Sequence, residues 1–155
     1  MLAGHGSAHG VLTTDEILSI LDQGITQARV EGKRVLVLTP DDTRTAPLPL
    51  MVRALMDRIA PYAARLDFMV ALGTHPPMSD EAIAGLYGFS LEEKQQICPE
   101  VGFLNHRWDL PETLVSVGEL SAARVAEISS GLFSQGVDVV INRAVLDYDL
   151  LLILG

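Results

Sequence analysis

Residues 33–45 read KRVLVLTPDDTRT, and the rest of the chain is interpreted around this stretch. Residues 35–38 form an unbroken apolar run that is too short for a helix and is typical of a strand buried on both faces of a parallel sheet. Four polar residues, 41–44, follow, and Pro47 and Pro49 then open an amphipathic segment, as prolines do in the first turn of a helix. In open α/β sheets, ligands bind at the carboxyl ends of strands, in turns of this kind.

Composition sets the class of protein. The chain has 155 residues, 48% of them apolar, which is enough for one domain with a sizeable core. The formal net charge is −9, from 20 acidic and 11 basic residues, and the basic residues are scattered, which argues against a nucleic-acid partner. We find neither a stretch of transmembrane length nor a signal peptide, so the prediction is a soluble, cytoplasmic protein with no membrane partner.

The same order of elements occurs a second time. Residues 66–72 form another apolar run, a polar loop continues to Pro77, and Ser79 is placed to cap the next helix. Thr13 and Glu16 form a capping-box signature for an earlier helix, expected to end near Gly32. Strands that alternate with helices in this way predict an α/β fold with a mostly parallel, Rossmann-like sheet and flanking helices.

The second half of the chain is less regular. It predicts a short helix over residues 91–97 and strands over 102–104, 114–117, 124–128, 137–142 and 149–154. The chain then stops directly after a buried strand. We therefore expect a C-terminally incomplete α/β domain over residues 13–155, preceded by a flexible tail over residues 1–12. Apolar surface exposed near residues 150–154 is expected to favour self-association.

The polar turn after the first strand offers Asp41 and Arg44. The planar fork of an arginine near a helix N-terminus suits a carboxylate or a phosphate. Asp41 is placed to orient a ribose hydroxyl, a histidine or Arg44 itself. The alternative is a purely structural turn, in which the aspartates cap the coming helix and the arginine pairs with them. Both interpretations stay open on the residues alone.

His75 is the sharper candidate, because Gly73 before it gives backbone freedom and two prolines after it stiffen the turn. A histidine held rigidly at a strand end is a good general acid or base, since its ordinary pKa lies near neutrality. The alternative is a histidine that only hydrogen-bonds loop backbone. If the two strands are neighbours, Arg44 has an anion-binding position beside His75.

Other groups are weaker candidates. His106 ends a probable third strand and is weighted toward structure, and Trp108 beside it offers a ring for stacking. Cys98 has no cationic neighbour in sequence and indicates a buried thiol. His5 and His9 are four residues apart, which makes a nickel or zinc carrier a third hypothesis, but the neighbouring glycines argue against the helix that this spacing requires. The sequence contains no convincing metal-ligand cluster and no glycine-rich nucleotide fingerprint.

Four blocks of the sequence resemble the lactate racemase family. They are PDDTR at 40–44, ALGTHPPM at 71–78, NHRW at 105–108 and INRAVLDYDLLLILG at 141–155. The match covers nearly everything from Leu12 onward. In that family, an N-terminal α/β domain and a C-terminal domain enclose a nickel-pincer nucleotide.

The resemblance implies a mechanism. A histidine takes the proton of the 2-hydroxyl of a small 2-hydroxy acid, while the hydride on C2 passes to the cofactor. By motif match, His75 is one of two acid/base histidines, Arg44 holds the substrate carboxylate, and Asp41 supports the cofactor or the catalytic geometry. Thr43 and the adjoining Gly73–Thr74 pair are expected to support cofactor binding.

The sequence also departs from the family. The second acid/base histidine, the lysine that tethers the cofactor and the histidine that binds nickel are absent, and they are expected in a C-terminal remainder of the protein. Position 76 is proline where racemases often have arginine, and the block at 105–108 differs from the usual His-Asp-Trp order. We therefore expect a domain of a racemase or epimerase that is inactive by itself. The alternative is a non-catalytic module of the same fold that binds a small anion or a nucleotide.

Overall fold

The fold is described from a computed structural model. The residues that it describes are 4, 6 and 10–155. Most of the predicted tail, and both histidines of the metal-carrier hypothesis (His5 and His9), lie outside these residues. Across the described part, no helix is long and apolar enough to cross a membrane.

Five α-helices and six strands are formed by the described residues. The helices are α1 (Thr14–Ala28), α2 (Leu48–Ile59), α3 (Asp80–Leu86), α4 (Leu91–Ile97) and α5 (Ala122–Ile128). The strands are β1 (Arg34–Thr39), β2 (Arg65–Val70), β3 (Gly102–Asn105), β4 (Leu114–Leu120), β5 (Val137–Asn142) and β6 (Leu150–Ile153). Two 3₁₀ segments lie at Pro111–Thr113 and Arg143–Asp147.

Four strands form a parallel sheet in the order β3-β2-β1-β6. The strands predicted at 34–39 and 66–72 are therefore neighbours, with Thr39 opposite Val70. In β1, residues 35–37 are completely buried, as the unbroken apolar run predicts. The predicted α/β fold with a mostly parallel sheet and flanking helices is confirmed.

The hydrophobic core lies between this sheet and the helices α1, α2 and α3. Phe68 of β2 and Phe103 of β3 meet Tyr87 after α3, and the Tyr87 and Phe103 rings pack edge to face with centroids 4.8 Å apart. Burial raises the pKa of Tyr87 to about 12, and its hydroxyl shares a 2.8 Å hydrogen bond with the buried Thr39 hydroxyl. This bond satisfies both polar groups inside the core.

The predicted helix starts are confirmed. Thr13 and Glu16 form the capping box of α1, and Ser79 accepts a hydrogen bond from the third residue of α3. Pro49 lies in the first turn of α2. The predicted end of α1 near Gly32 is four residues too late, because Arg29 adopts a left-handed conformation (φ 53°) that closes the helix at Ala28.

The strand predicted over residues 124–128 is wrong: this segment belongs to α5. Its polarity alternates only over residues 126–128, its two polar residues are three positions apart, and Ser121 caps the helix by accepting a hydrogen bond from the Arg124 amide. Arg124 also pairs with Glu127 three residues later, at 2.6 Å, which suits a helix and not a strand. Local capping therefore outweighs a short period-2 pattern. The strands predicted at 114–117 and 137–142 do form, as an antiparallel pair on either side of α5.

A buried carboxylate joins three parts of the sheet at the amino-terminal half of β2. Asp67 is 2% exposed and accepts hydrogen bonds from the Gly102 amide at 2.6 Å and from the Arg65 guanidinium at 2.5 Å. The Tyr148 hydroxyl, just before β6, donates to the same carboxylate. A buried charge is tolerated only when it is paired and hydrogen-bonded in this way.

The outer edge of β6 carries apolar surface. β6 is the last strand of the sheet, and its second edge is unpaired among the described residues. Ile153 is 83% exposed and Leu151 is 39% exposed. An unpaired apolar edge strand is a template for pairing with another chain.

We therefore expect this chain to self-associate through β6, with an average mass in sedimentation equilibrium that rises with concentration. Ile153→Lys places a charge on the edge and is expected to shift the chain towards monomer. Val11→Lys, at a position that is 95% exposed but outside the sheet, is the matched control. A concentration-independent monomer would contradict the prediction.

Candidate functional site

Three loops meet at one edge of the sheet. Because β1, β2 and β3 are parallel, and Thr39, Val70 and Asn105 lie side by side, the segments that follow them leave the sheet together. This is the edge at which ligands bind in open α/β sheets. Asp41 follows β1 and His75 follows β2, as the sequence predicts.

The central feature of this edge is a carboxylate–histidine pair. One carboxylate oxygen of Asp41 lies 2.6 Å from Nδ1 of His75. The other oxygen accepts hydrogen bonds from the Thr43 hydroxyl at 2.5 Å and from the Thr43 amide at 3.1 Å. The Asp41 side chain is only 9% exposed, whereas that of His75 is 55% exposed. The pair therefore combines a sheltered anion with an imidazole that a ligand can reach.

Hydrogen bonding keeps Asp41 ionised. The hydroxyl of Thr43 and the imidazole of His75 lower the pKa of Asp41 to about 2, against the opposing effect of its partial burial. An ionised carboxylate only accepts hydrogen bonds, so the contacting His75 nitrogen carries a proton. In the neutral imidazole this leaves Nε2 as the free acceptor. The sequence places Asp41 to orient any of three groups. In the structure, Asp41 contacts the histidine among them.

Arg44 does not take part in this pair. It is exposed, and its side chain makes no hydrogen bond or ion pair with any residue that the structure describes. The alternative in which the aspartates cap α2 and pair with Arg44 is not observed. Asp41 contacts His75, and Pro47 occupies the N-cap of α2 without a side-chain hydrogen bond. The guanidinium of Arg44 is therefore available for an external anion near this edge.

The loop that carries His75, residues 73–78, is fastened to the end of β3. Gly73 has φ +59°, a left-handed conformation that favours glycine, and Thr74 is an exposed turn residue without a described side-chain contact. The Trp108 indole N–H donates to the His75 carbonyl at 3.0 Å. The Asn105 amide accepts from the Met78 N–H at 3.0 Å and donates to the Met78 carbonyl at 2.9 Å. These contacts of Asn105 and Trp108 are not predicted from the sequence. The feature of the sequence that could have indicated them is the polar block NHRW at 105–108.

The comparisons with known proteins identify the family and support the fold. The family model described as the lactate racemase N-terminal domain matches residues 12–155. The chain belongs to the lactate racemase N-terminal domain family. The solved structures include a protein from Thermotoga maritima that is 28% identical, with a TM-score of 0.71. That match covers 92% of this chain and 33% of the other, so this chain spans about a third of the solved protein. Comparison with curated proteins gives no significant match.

His106 has a structural environment in this lactate racemase domain. Its amide donates to the Val70 carbonyl at 3.0 Å, and its Nδ1 lies 2.9 Å from the Asn142 side-chain nitrogen. The Asn142 oxygen accepts from the Ala144 amide at 2.9 Å, so its NH₂ group faces His106. His106 thus joins the tip of β3 to the end of β5. This environment fits the structural role that the sequence favours for His106.

Two cavities near the sheet differ in character. An apolar cleft of about 360 Å³ contacts the last residues of β1 and β2 through Leu38, Met69 and Ala71, with His106 at its wall. A second cavity, of about 510 Å³, lies at the opposite end of the strands, beside Arg65 and Asp67. Arg65 and Asp67 in its wall are already paired with each other, so we take the edge with His75 as the candidate functional site.

Cys98 is 7% exposed, and burial raises the pKa of its thiol, as predicted for a structural cysteine. Lys94 and Arg53 oppose that rise, although no cationic neighbour is visible in sequence. The described residues contain no group of three or more His, Cys, Asp or Glu side chains that would hold a metal ion.

Proposed function

We propose that this lactate racemase domain supplies an acid/base histidine and an anion-binding arginine to an isomerase that racemises or epimerises a 2-hydroxy acid. The observation that carries the proposal is the Asp41–His75 pair at the carboxyl edge of the sheet. Membership of the lactate racemase family supports the class of reaction. A cytoplasmic location, expected from the sequence, belongs to the same proposal.

His75 is the group that moves a proton. Its Nδ1 proton is held by Asp41, so Nε2 is free to accept the proton of a substrate 2-hydroxyl. Asp41 stays anionic because its pKa is about 2, and it therefore stabilises the imidazolium that forms. The return of this proton to the product regenerates the starting state of the pair.

Arg44 is the group that binds the substrate carboxylate. A guanidinium matches a carboxylate with two parallel hydrogen bonds, which fixes orientation as well as charge. The Arg44 side chain has no competing partner among the described residues, and it belongs to the same turn as Asp41. The substrate class is therefore a small anion that carries a hydroxyl group next to its carboxylate.

A nickel-pincer nucleotide is the cofactor that family membership suggests, and it would supply the hydride acceptor. The described residues do not provide a nickel site of their own. Thr43 commits its hydroxyl to Asp41, so any contact from Thr43 to a cofactor has to share that group. Contacts from Gly73 and Thr74 remain predictions. The chemistry proposed for this chain rests on its own carboxylate, arginine and histidine.

The second candidate function is a small-anion-binding module without catalysis. The exposed guanidinium of Arg44, which has no partner among the described residues, supports it, because binding an anion needs no second catalytic group. Both candidates predict that a 2-hydroxy acid binds at this edge. Only the isomerase predicts conversion of D-lactate to L-lactate by the cofactor-loaded enzyme that contains this domain, which chiral chromatography measures.

Carboxylate binding is tested on this chain directly. We expect L-lactate to change the fluorescence of Trp108, the only tryptophan, which contacts the His75 loop. Arg44→Gln is expected to weaken binding about tenfold, because one charge-assisted hydrogen-bonded pair is lost.

Arg44→Lys should recover only part of the affinity, since an ammonium group lacks the planar fork. Arg124→Gln on α5 removes an equal charge from an ion pair remote from this edge and is the matched control. Equal affinities of the Arg44→Gln variant and the parent chain would overturn the role of Arg44.

A further inference from the structure

The His75 loop needs an external support. It lies at the sheet edge with most of its residues exposed, and Gly73 allows it more backbone conformations than another residue would. Its own backbone supplies one hydrogen bond, from the His75 amide to the Leu72 carbonyl at 3.0 Å. A proton-transferring imidazole has to be held to within a fraction of an ångström of its productive position.

That support comes from the last residue of β3 and from the segment directly after it. Trp108 holds the carbonyl of His75, and Asn105 holds both backbone polar groups of Met78, three residues further along the loop. The segment is itself anchored, because the His106 amide donates to Val70 at the end of β2. The loop is therefore pinned at its middle and at its end by one neighbouring element.

We propose that Asn105 and Trp108 are positioning residues that hold the His75 imidazole against Asp41. The inference rests on the proposed role of His75 as the acid/base group. Asp41 fixes the ring from the β1 side, while Trp108 fixes the backbone of the same residue from the β3 side. Neither Asn105 nor Trp108 forms a hydrogen bond with the imidazole; their hydrogen bonds are to the loop backbone, and both act through it.

The alternative role for Asn105 is support of α3 alone, since Met78 directly precedes the N-cap of α3 and its backbone polar groups need partners in any case. The two roles differ in what they predict for the imidazole. Support for α3 alone would leave the environment of the His75 ring unchanged. Positioning predicts that a change at Trp108, outside α3, alters the ring as well.

The test uses the 155-residue chain and long-range ¹H–¹⁵N spectra of its four histidines, with His75 assigned from His75→Gln. In the parent chain we expect the neutral His75 ring to carry its proton on Nδ1. Trp108→Phe removes the indole donor, and Asn105→Asp keeps the shape while removing one of two hydrogen bonds. In both variants we expect the neutral His75 ring to populate the Nδ1–H and the Nε2–H tautomers. We also expect hydrogen exchange of the His75 amide to become about tenfold faster, which corresponds to the free energy of roughly one hydrogen bond.

Arg107→Gln, between these two residues, breaks only an exposed pair with Asp109 and is the matched control. In the cofactor-loaded enzyme, Trp108→Phe is expected to lower kcat at least about tenfold with little change in KM, because the base is misplaced and not removed. Parent-like His75 spectra in both variants would overturn the positioning role. Altered spectra together with full activity of His75→Gln would instead refute the proposed function and leave the positioning role intact.

Discussion

Replacing Asp41 by asparagine is expected to lower kcat for racemisation roughly 10²–10⁴-fold in the cofactor-loaded enzyme that contains this domain. The carboxylate accepts the Nδ1 proton of His75 at 2.6 Å. An asparagine amide can donate to that nitrogen instead, which moves the imidazole proton to Nε2 and removes the free base. The loss of the anion also leaves the imidazolium without its counter-charge.

The control for this variant is Asp42→Asn. Asp42 is the next residue in the same turn, is exposed and makes no described side-chain contact, so the change removes the same charge without touching His75. Its kcat should stay within about twofold of the parent value, as is usual for an exposed surface change.

The tautomer of His75 gives an independent readout. In ¹H–¹⁵N spectra of this chain, Asp41→Asn should move the neutral-ring proton from Nδ1 to Nε2, and Asp42→Asn should not. An Asp41→Asn enzyme with parent-like kcat would show that His75 does not act as the base. A shifted tautomer with unchanged kcat would confirm the hydrogen bond between Asp41 and His75. It would also refute the proposed role of His75 as the base.

Replacing Asp67 by alanine is expected to lower the free energy of unfolding by about 2–4 kcal/mol, because each donor left without a partner costs about 1–3 kcal/mol. The carboxylate is 2% exposed and accepts from the Gly102 amide, the Arg65 guanidinium and the Tyr148 hydroxyl. Its removal leaves the Gly102 amide and the Tyr148 hydroxyl short of a partner and creates a void beside them. Urea unfolding followed by circular dichroism measures the loss.

Two further variants sharpen this prediction. Asp138→Ala, in the exposed strand β5, removes an aspartate with no described side-chain contact and should change stability by less than about 0.5 kcal/mol. Gly102→Ala should destabilise the sheet as well, because an added Cβ would lie 2.3 Å from the Asp67 carboxylate oxygen. Unfolding midpoints of Asp67→Ala and Asp138→Ala that coincide would show that the buried carboxylate contributes nothing net.

The sequence alone was sufficient for most of the sheet. The apolar runs at 34–39 and 66–72 are long enough for a strand and too short for a helix, so their structure depends little on the rest of the chain. The capping signatures at Thr13 and Ser79 are equally local, because each satisfies backbone groups within three residues. The parallel arrangement then followed from the helices between the strands, and it placed the residues after β1 and β2 at one edge.

The segment at 124–128 shows where local patterns run short. Five residues whose polarity alternates only in part fit a strand and one helical turn about equally well, and the choice depends on whether a cap and an ion pair form. Arg44 is a similar case. Its presence at the edge was predictable, but whether it paired with the neighbouring aspartates depended on contacts that the sequence does not specify.

The sequence by itself determined the fold class, the family and the edge of the sheet at which polar residues gather, because these depend on periodicity, caps and short blocks within the chain. Only the tertiary structure decided which polar groups meet. Asp41 and His75 are 34 residues apart, and Trp108 is 33 residues beyond His75, so their contacts exist only once three parallel strands end side by side. Pairing across strands depends on register and on the path of each loop, and both are set by the packing of the whole sheet.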